Sequence, residues 1–504
     1  MTEILEDDPA VASEPPSHTT GAERRRLTER LPAPRAVAAA AGPVLVLWAP
    51  MVLWWVALRP AVMTNDSMDT WTQVLTGDWV DWHPPIYTAL NYLSRQIVGT
   101  PALTVLVQTL ALAWAFSRLL RIGIRMGLPA LPVWIGGVVV SLLPPVGAFS
   151  VHLWKDVPYT AGFLLVAGLF AEEALHRVRL HPAPTTGAFV AAGFGVAALD
   201  ILRPNGVVVA VLSGVAALVL FRRRALVAGI WVVALVGVVV VQSVLNPLAG
   251  VREADDQQQA GLAPFDLGYL AVNHPEDLEP KDLALVGELA PLSEWRRDFD
   301  CHWTGAPMSR LAPSDRVARL RDRLQAAWRR ALLANPVEAS LGHLCAASVA
   351  WNPIPSDSER RHFETLYHGV VRNHVGMHST PVWQSLTDEA RQVIIRTSTP
   401  GWQPWFWRAP TWIYLGAVLL VVTAIRARSA WPVLALSPLV AQQLSVIAMT
   451  GPHARYMLPA GIAAFALLPP FVLAAIRARA AGGDPDAPDE RDEPSGDLAD
   501  APVP

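Results

Sequence analysis

The chain has 504 residues, of which 52% are hydrophobic and only 16% charged, with 40 basic side chains against 43 acidic ones. That is too apolar for a water-soluble protein of two or three domains and points to an integral membrane protein. The near-neutral total says little about partners, because the charge is strongly segregated along the chain.

In chain order, residues 1–34 are rich in Pro, Glu and Arg and lack an apolar period, so they read as a disordered cytoplasmic tail. The first apolar run begins near Arg35, is long enough to span, and has no cleavage site close behind it, so it is expected to stay as an anchor. Counting this one there are ten such runs, at about 37–58, 101–120, 129–149, 157–175, 185–203, 206–221, 225–247, 410–425, 431–449 and 455–476. Each is close to the roughly 20 apolar residues a helix needs to cross a bilayer. The fifth and sixth touch at "LRPNG", where Pro204 and Gly206 supply a tight turn. Merging them would put every later arginine cluster on the wrong side. With both termini cytoplasmic, the clusters at Arg24–Arg26, Arg118/Arg121/Arg125, Arg177/Arg179, Arg222–Arg224, Arg426/Arg428 and Arg477/Arg479 all lie inside.

The expected fold is therefore an all-α polytopic membrane protein of about ten transmembrane helices with a helical extracytoplasmic loop domain. Residues 35–250 form a seven-span module with a first outer loop at 59–100, residues 248–409 an outer cap, residues 410–478 three further spans, and residues 479–504 a second disordered acidic tail. Few polar groups lie inside the spans: Gln108, Gln242, Gln442 and Gln443, with Glu172 and Glu173 near a cytoplasmic end and Asp200 near an outer one. Chemistry is thus expected at the outer boundary and not along a path through the membrane.

The first outer loop carries "NDSMDTWTQVLTGDWVDWHPPIYTAL". Asp66 and Asp69 share a helical face, Gly77 ends that helix, and Pro84-Pro85 opens another whose Ile86, Leu90, Leu93 and Ile97 make an apolar stripe suited to the membrane interface. His83 stands at its start and Asp81 just before. The plainer alternative is a solvated loop with Trp71, Trp79 and Trp82 as an aromatic belt. The cap contains an amphipathic helix from about Ser314 to Ala334, with Val317, Leu320, Leu324, Trp328 and Leu332 near one face, and a second helix from about Pro336 to Trp351. Trp402, Trp405 and Trp407 read as interfacial anchors. Cys301 and Cys345, the two cysteines of the chain, fall in the cap, either bonded to each other or buried as free thiols.

An Asp just outside the first span, a helix ending in Gly, and a Pro-Pro pair opening the next segment, here Asp66, Gly77 and "HPP" at 83–85, resemble the GT-C superfamily of membrane glycosyltransferases, of the protein O-mannosyltransferase and lipid A aminoarabinose transferase types. The resemblance covers roughly residues 37–250. Many relatives have Asp-Glu where this chain has Asp66-Ser67, and Tyr-Pro-Pro or Lys-Pro-Pro where it has His83-Pro84-Pro85.

The resemblance implies transfer of a sugar from a polyprenyl-phosphate carrier to an envelope glycan, lipid or protein outside a bacterial plasma membrane. Such a reaction needs a base for the acceptor hydroxyl, for which Asp66 is the first candidate, Asp69 the second and Asp81 a distant third. It also needs cations for the leaving phosphate, for which Lys155, Arg203 and Arg455 stand at outer ends of spans, with His83 and His453 as helpers. Asp156, Asn205 and Tyr456 are read as supporting residues, against the plainer reading of headgroup-snorkelling arginines, an interfacial ion pair and a turn-forming Asn. Mg²⁺ or Mn²⁺ between Asp66 and Asp69 is chemically sound, but two carboxylates without a further ligand set do not establish a metal, and no cofactor is assigned. Zinc at the cap cysteines is not expected. Walker, dinucleotide, Gly-x-Ser-x-Gly and His-Glu-x-x-His signatures are missing, and no nucleic-acid partner is expected. The first alternative is a transporter or lipid-linked glycan flippase, which would call for polar groups at mid-membrane and broken helices in matching halves; the second is a noncatalytic membrane scaffold whose outer cap binds a partner, in which Asp66 could be replaced without loss.

Overall fold

The computed structural model describes residues 34–253, 263–302, 310–361, 368–449 and 453–478; the tails read above as disordered lie outside them, apart from Pro34. The chain divides into Met1–Pro43 and Val44–Pro504, and the description below concerns the second. It is 76% helical. Among the described residues there is no strand, only isolated bridges.

Helices occupy all ten apolar runs. They are α1 (Pro34–Ala57), α4 (Ala102–Arg125), α5 (Ala130–Leu142), α6 (Asp156–Arg177), α7 (Thr186–Leu202), α8 (Gly206–Leu220), α9 (Arg224–Val240), α16 (Ala409–Ala427), α17 (Ser437–Met449) and α18 (Leu458–Arg477). Between them, α2 (Asn65–Thr76) and α3 (Pro85–Val98) follow α1. The segment between α9 and α16 carries α10 (Ala263–Asn273), α11 (Pro280–Leu289), α12 (Leu292–Asp298), α13 (Ser314–Ala334), α14 (Pro336–Ala346) and α15 (Gln384–Thr397).

Among the described residues, five segments are both long and apolar enough to cross a membrane: Ala102–Arg125, Arg224–Leu248, Ala409–Ala427, Trp431–Ala448 and Leu458–Arg477. Shorter apolar helices among the described residues are Ala41–Ala57, which is the later part of α1, Ala130–Leu142, Thr186–Leu202 and Gly206–Leu220. The run expected at 129–149 breaks after Leu142, and Pro144-Pro145 explains why. Its 13-residue α5 is about 20 Å long against a hydrocarbon core of about 30 Å.

The core runs through α6, which is buried along nearly its whole length, Asp156 to Leu175. It packs against α4, α7 and α18. Small residues allow the closest of these approaches. A Cβ placed on Gly162 of α6 would stand 2.9 Å from the carbonyl oxygen of Gly195 on α7, so the two backbones meet where neither has a side chain.

At one end of the bundle the arginine-bearing helix termini hold one another. Arg125 pairs with Glu172 at 3.1 Å, Arg426 donates to the Ala475 carbonyl at 2.5 Å, Arg477 donates to that of Met126, and Arg177 lies 3.9 Å over the Trp431 ring. Cations at helix C-termini are favoured there by the helix dipole as well.

The cap has its own core, built on Leu267, Leu285, Val286, Leu289, Trp295, Val317 and Leu324. The expected stripe of α13 faces it, with Val317 and Leu324 buried and Leu320, Trp328 and Leu332 half-buried. Cys301 and Cys345 are joined by a disulfide, Cα to Cα 5.8 Å. Asp266, itself buried, accepts from Trp328 and bonds His343, each at 2.6 Å. The cap is tied to α16 and α17 by the buried Arg408–Glu359 pair at 2.8 Å, by Tyr414 donating to the Trp351 carbonyl and by Gln443 donating to that of Ala350. The second helix expected in the cap, Pro336–Trp351, is interrupted at Ala347. Trp402 and Trp405 are exposed as anchors should be, but Trp407 is 2% exposed and belongs to the core, as does Trp71 of the first loop.

Candidate functional site

The end of the bundle opposite the arginines is organised by a short ladder. Leaving α1, the chain passes between two segments: Val62 exchanges backbone hydrogen bonds with Val151 and Leu153, and Met63 with Gly369 and Val371. This fixes the start of α2. Thr64 caps it in a box with Ser67, whose hydroxyl also donates to the Leu153 carbonyl at 3.0 Å. The Trp154 indole donates to the Thr64 hydroxyl at 2.8 Å. Through these bonds the acidic face of α2 is set directly beside Trp154-Lys155-Asp156. Gly77, at φ 76°, ends α2 in the left-handed region that favours glycine.

The chain then returns through Trp82 and His83 to α3, which Pro85 opens. That helix buries polar residues, Tyr87, Thr88, Asn91 and Ser94, and exposes Ile86, Leu93 and Ile97. A helix with this inverted pattern suits a lipid interface. Tyr87 is pinned from inside the bundle. Its hydroxyl donates to Gln108 at 2.9 Å, and the Gln108 amide donates to the carbonyls of Ser150 and His152.

These segments enclose a cleft lined by Asp66, Thr70, His83, Tyr87, Leu153, Trp154, Lys155 and Asp156, with about 230 Å³ of space that includes its open mouth. Two carboxylates face it, and an arginine stands behind each. Asp156 pairs with Arg203, whose Nε donates to Asn205 at 2.9 Å and whose guanidinium lies 4.2 Å from the Tyr456 ring centroid. Asn205 in turn donates to Ser445 at 2.9 Å. Asp66 pairs with Arg455 at 2.8 Å, and that guanidinium rests 4.7 Å from the Trp154 centroid and 5.1 Å from that of Tyr456. Tyr456 thus touches both cations, and its hydroxyl accepts from Arg455 at 3.3 Å. Its carbonyl accepts from Gln442, which accepts from Tyr159.

Lys155 has no carboxylate partner among the described residues and donates to the Trp82 carbonyl at 3.4 Å. Burial and the charge of Arg203 bring its ammonium down to about 8, against the pull of Asp156 and Asp66. Burial also lowers His83, aided by Lys155, to about 4, so its imidazole is neutral near pH 7. Its Nε2 is buried without a hydrogen-bond partner. For Asp66, burial pushes the carboxyl up, but the charge and hydrogen bond of Arg455, with His83 and Lys155, outweigh it and hold the group below its ordinary 3.8. Asp69, one turn further and open to solvent on one side, is raised by partial desolvation and by the charge of Asp66, with His374 opposing.

Of the residues singled out in the sequence, Asp66, His83, Lys155, Asp156, Arg203, Asn205, Arg455 and Tyr456 meet at one place. Asp69 lies at its edge and does not line the cleft. His453 sits against Tyr456, ring centroids 5.4 Å apart. Asp81 is exposed and its backbone bonds the Arg252 carbonyl, away from the lining. Among the described residues, Asp66 and Asp69 do not belong to a cluster of three close metal-ligand groups. Two such clusters occur among the described residues, His274/Glu276/Asp277 and Cys301/His302/Cys345, and the sulfurs of the second are bonded to each other. Reading the sequence missed Thr64, Tyr87, Trp154 and Tyr159 as site-building residues. Gln108 and Gln442 were the available signal, amides in apolar runs whose hydrogen bonds have to go somewhere. Comparison with protein-family models, with curated proteins and with solved structures returns no match.

Proposed function

We propose that this protein is a membrane glycosyltransferase of the GT-C type that moves a sugar from a polyprenyl-phosphate-linked donor to an extracytoplasmic acceptor. On this reading all ten apolar helices cross or enter the membrane. The arginine end faces the cytoplasm, as the excess of positive charge there favours, and the cleft faces outward.

The observation that carries the proposal is the convergence, beside the exposed apolar stripe of α3, of a carboxylate, an ammonium with no carboxylate partner among the described residues and a neutral imidazole whose Nε2 has no hydrogen-bond partner among them. The isoprenoid lies along apolar helix surface while its phosphate enters the cleft. The acceptor oxygen attacks the anomeric carbon and gives its proton to Asp66; the bond from that carbon to the phosphate oxygen breaks, and the electron pair leaves with the polyprenyl phosphate. Lys155 and a donated hydrogen bond from His83 meet the charge that develops on that oxygen. Arg203, clamped to Asp156, fixes the position of Lys155. The cap roofs the same end of the molecule and offers the acceptor a surface.

Membranes containing the protein and supplied with a radiolabelled polyprenyl-phosphate sugar are expected to pass label to an envelope acceptor, and a nucleotide sugar given without the carrier is not. Label that changes leaflet while still attached to its lipid would instead make the protein a flippase.

A further inference from the structure

The two carboxylate–arginine pairs of the cleft are built differently. Asp156 and Arg203 are sealed, with side chains 4% and 8% exposed, and Arg203 spends its Nε on Asn205. Asp66 and Arg455 are half-open, at 44% and 17%. Arg455 holds its carboxylate through one terminal nitrogen, and its Nε is buried with no partner. Its guanidinium lies over the rings of Trp154 and Tyr456, and the nitrogen that holds Asp66 also donates to the Tyr456 hydroxyl at 3.3 Å, so a turn that keeps the ring contacts gives up the ion pair and one hydrogen bond.

This arrangement sets two needs against each other. A base for the acceptor hydroxyl should not be tied to a guanidinium, which keeps the carboxylate ionised but weakens it as a proton acceptor. A leaving phosphate, for its part, needs more than the single ammonium of Lys155. One movement satisfies both, because a phosphate oxygen pair accepts two parallel N–H bonds from a guanidinium where Asp66 accepts one.

We propose that Arg455 serves two anions in turn, holding Asp66 as the structure has it and passing to the phosphate when the donor binds, so that donor binding is what frees the base. This inference rests on the donor reading above. It makes substrate addition ordered: an acceptor that arrives first meets a masked carboxylate. The groups facing Asp66 are few. They are Arg455 and Tyr456 on the 454–456 turn, Lys155 and Asp156 ahead of α6, His83 and Tyr87 at the start of α3, Asp69 on its own helix, and His374, whose charge reaches Asp69. Of these, Arg455 alone is within ion-pair distance of the Asp66 carboxylate among the described residues.

The test is the titration of Asp66 itself in the full-length protein in detergent. It is followed by the side-chain carbon signal of ¹³C-labelled aspartate, assigned by its loss in Asp66→Asn, with and without geranyl phosphate as probe. The expected result is a rise in the Asp66 titration midpoint by about one to three pH units when the probe binds, the range over which an adjacent arginine acts. In Arg455→Gln the midpoint should be raised already and no longer respond, while Arg455→Lys keeps part of the response. Geranyl phosphate that binds, with Lys155→Ala weakening it, but leaves Asp66 unmoved overturns the exchange and spares the donor reading. A probe that binds neither wild type nor Lys155→Ala overturns both.

Discussion

Arg203 offers the sharpest physical prediction. Substitution by Met keeps most of its volume but leaves Asp156 with 4% of its side chain exposed and its counter-charge gone. Removing one partner of a buried ion pair costs about 3–5 kcal/mol, because the remaining charge is uncompensated. Loss of the stacking on Tyr456 at 4.2 Å adds about 1 kcal/mol. Arg203→Met should therefore reduce the folded-to-unfolded ratio by at least a hundredfold, on the scale of about 1.4 kcal/mol per tenfold. If the charge left on Asp156 is the cause, Asp156→Leu in the same molecule should recover most of the loss, giving a coupling energy of about 2 kcal/mol or more. The assay is SDS-driven unfolding in mixed micelles, followed by tryptophan fluorescence, on the two single variants and the double. A single variant that loses less than about 1 kcal/mol, or a double variant equal to the sum of the singles, would refute the reasoning.

Lys155 should show opposite effects of pH on binding and stability. As pH rises through about 8 the ammonium loses its charge, so KM for the anionic donor should climb. Stability should rise over the same interval, between about 8 and the ordinary value of 10.5, because there the unfolded chain binds a proton that the folded one does not. A donor KM that stays flat across pH 8 would show that Lys155 does not meet the phosphate. In the cap, Cys345→Ser opens a loop of sequence separation 44 and should destabilise that region by about 4 kcal/mol at most on the chain-entropy estimate. Limited proteolysis should then cut between Ala263 and Ala346 well before the helices of the bundle, and equal cleavage of the two proteins would count against a bracing role.

Much of this architecture was legible in the sequence because its signals are local. Apolar runs bounded by proline, glycine and arginine mark the helices, the heptad-like spacing of Val317, Leu324 and Trp328 marks α13, and "HPP" marks the opening of α3. What was not legible depends on contacts made across the chain. Trp402, Trp405 and Trp407 look alike in sequence, yet only Trp407 is turned into the core. Arg203 and Arg455 both read as phosphate or headgroup ligands, whereas each rests on a carboxylate supplied by another segment. Length, too, is settled by breakers: Pro144-Pro145 cuts the run at 129–149 to a helix too short to span alone. Asp66 and Asp69, first and second candidates on one helical face, are told apart by tertiary structure, since only Asp66 lines the cleft.

That last distinction allows the most direct test. Sugar transfer from a radiolabelled polyprenyl-phosphate pool would be measured for wild type, Asp66→Asn and Asp69→Asn at matched amounts of folded protein. If Asp66 takes the acceptor proton, Asp66→Asn should lower the rate by about 10²–10⁴-fold, and Asp69→Asn by much less. Equal rates for wild type and Asp66→Asn, with transfer clearly present, would contradict the account.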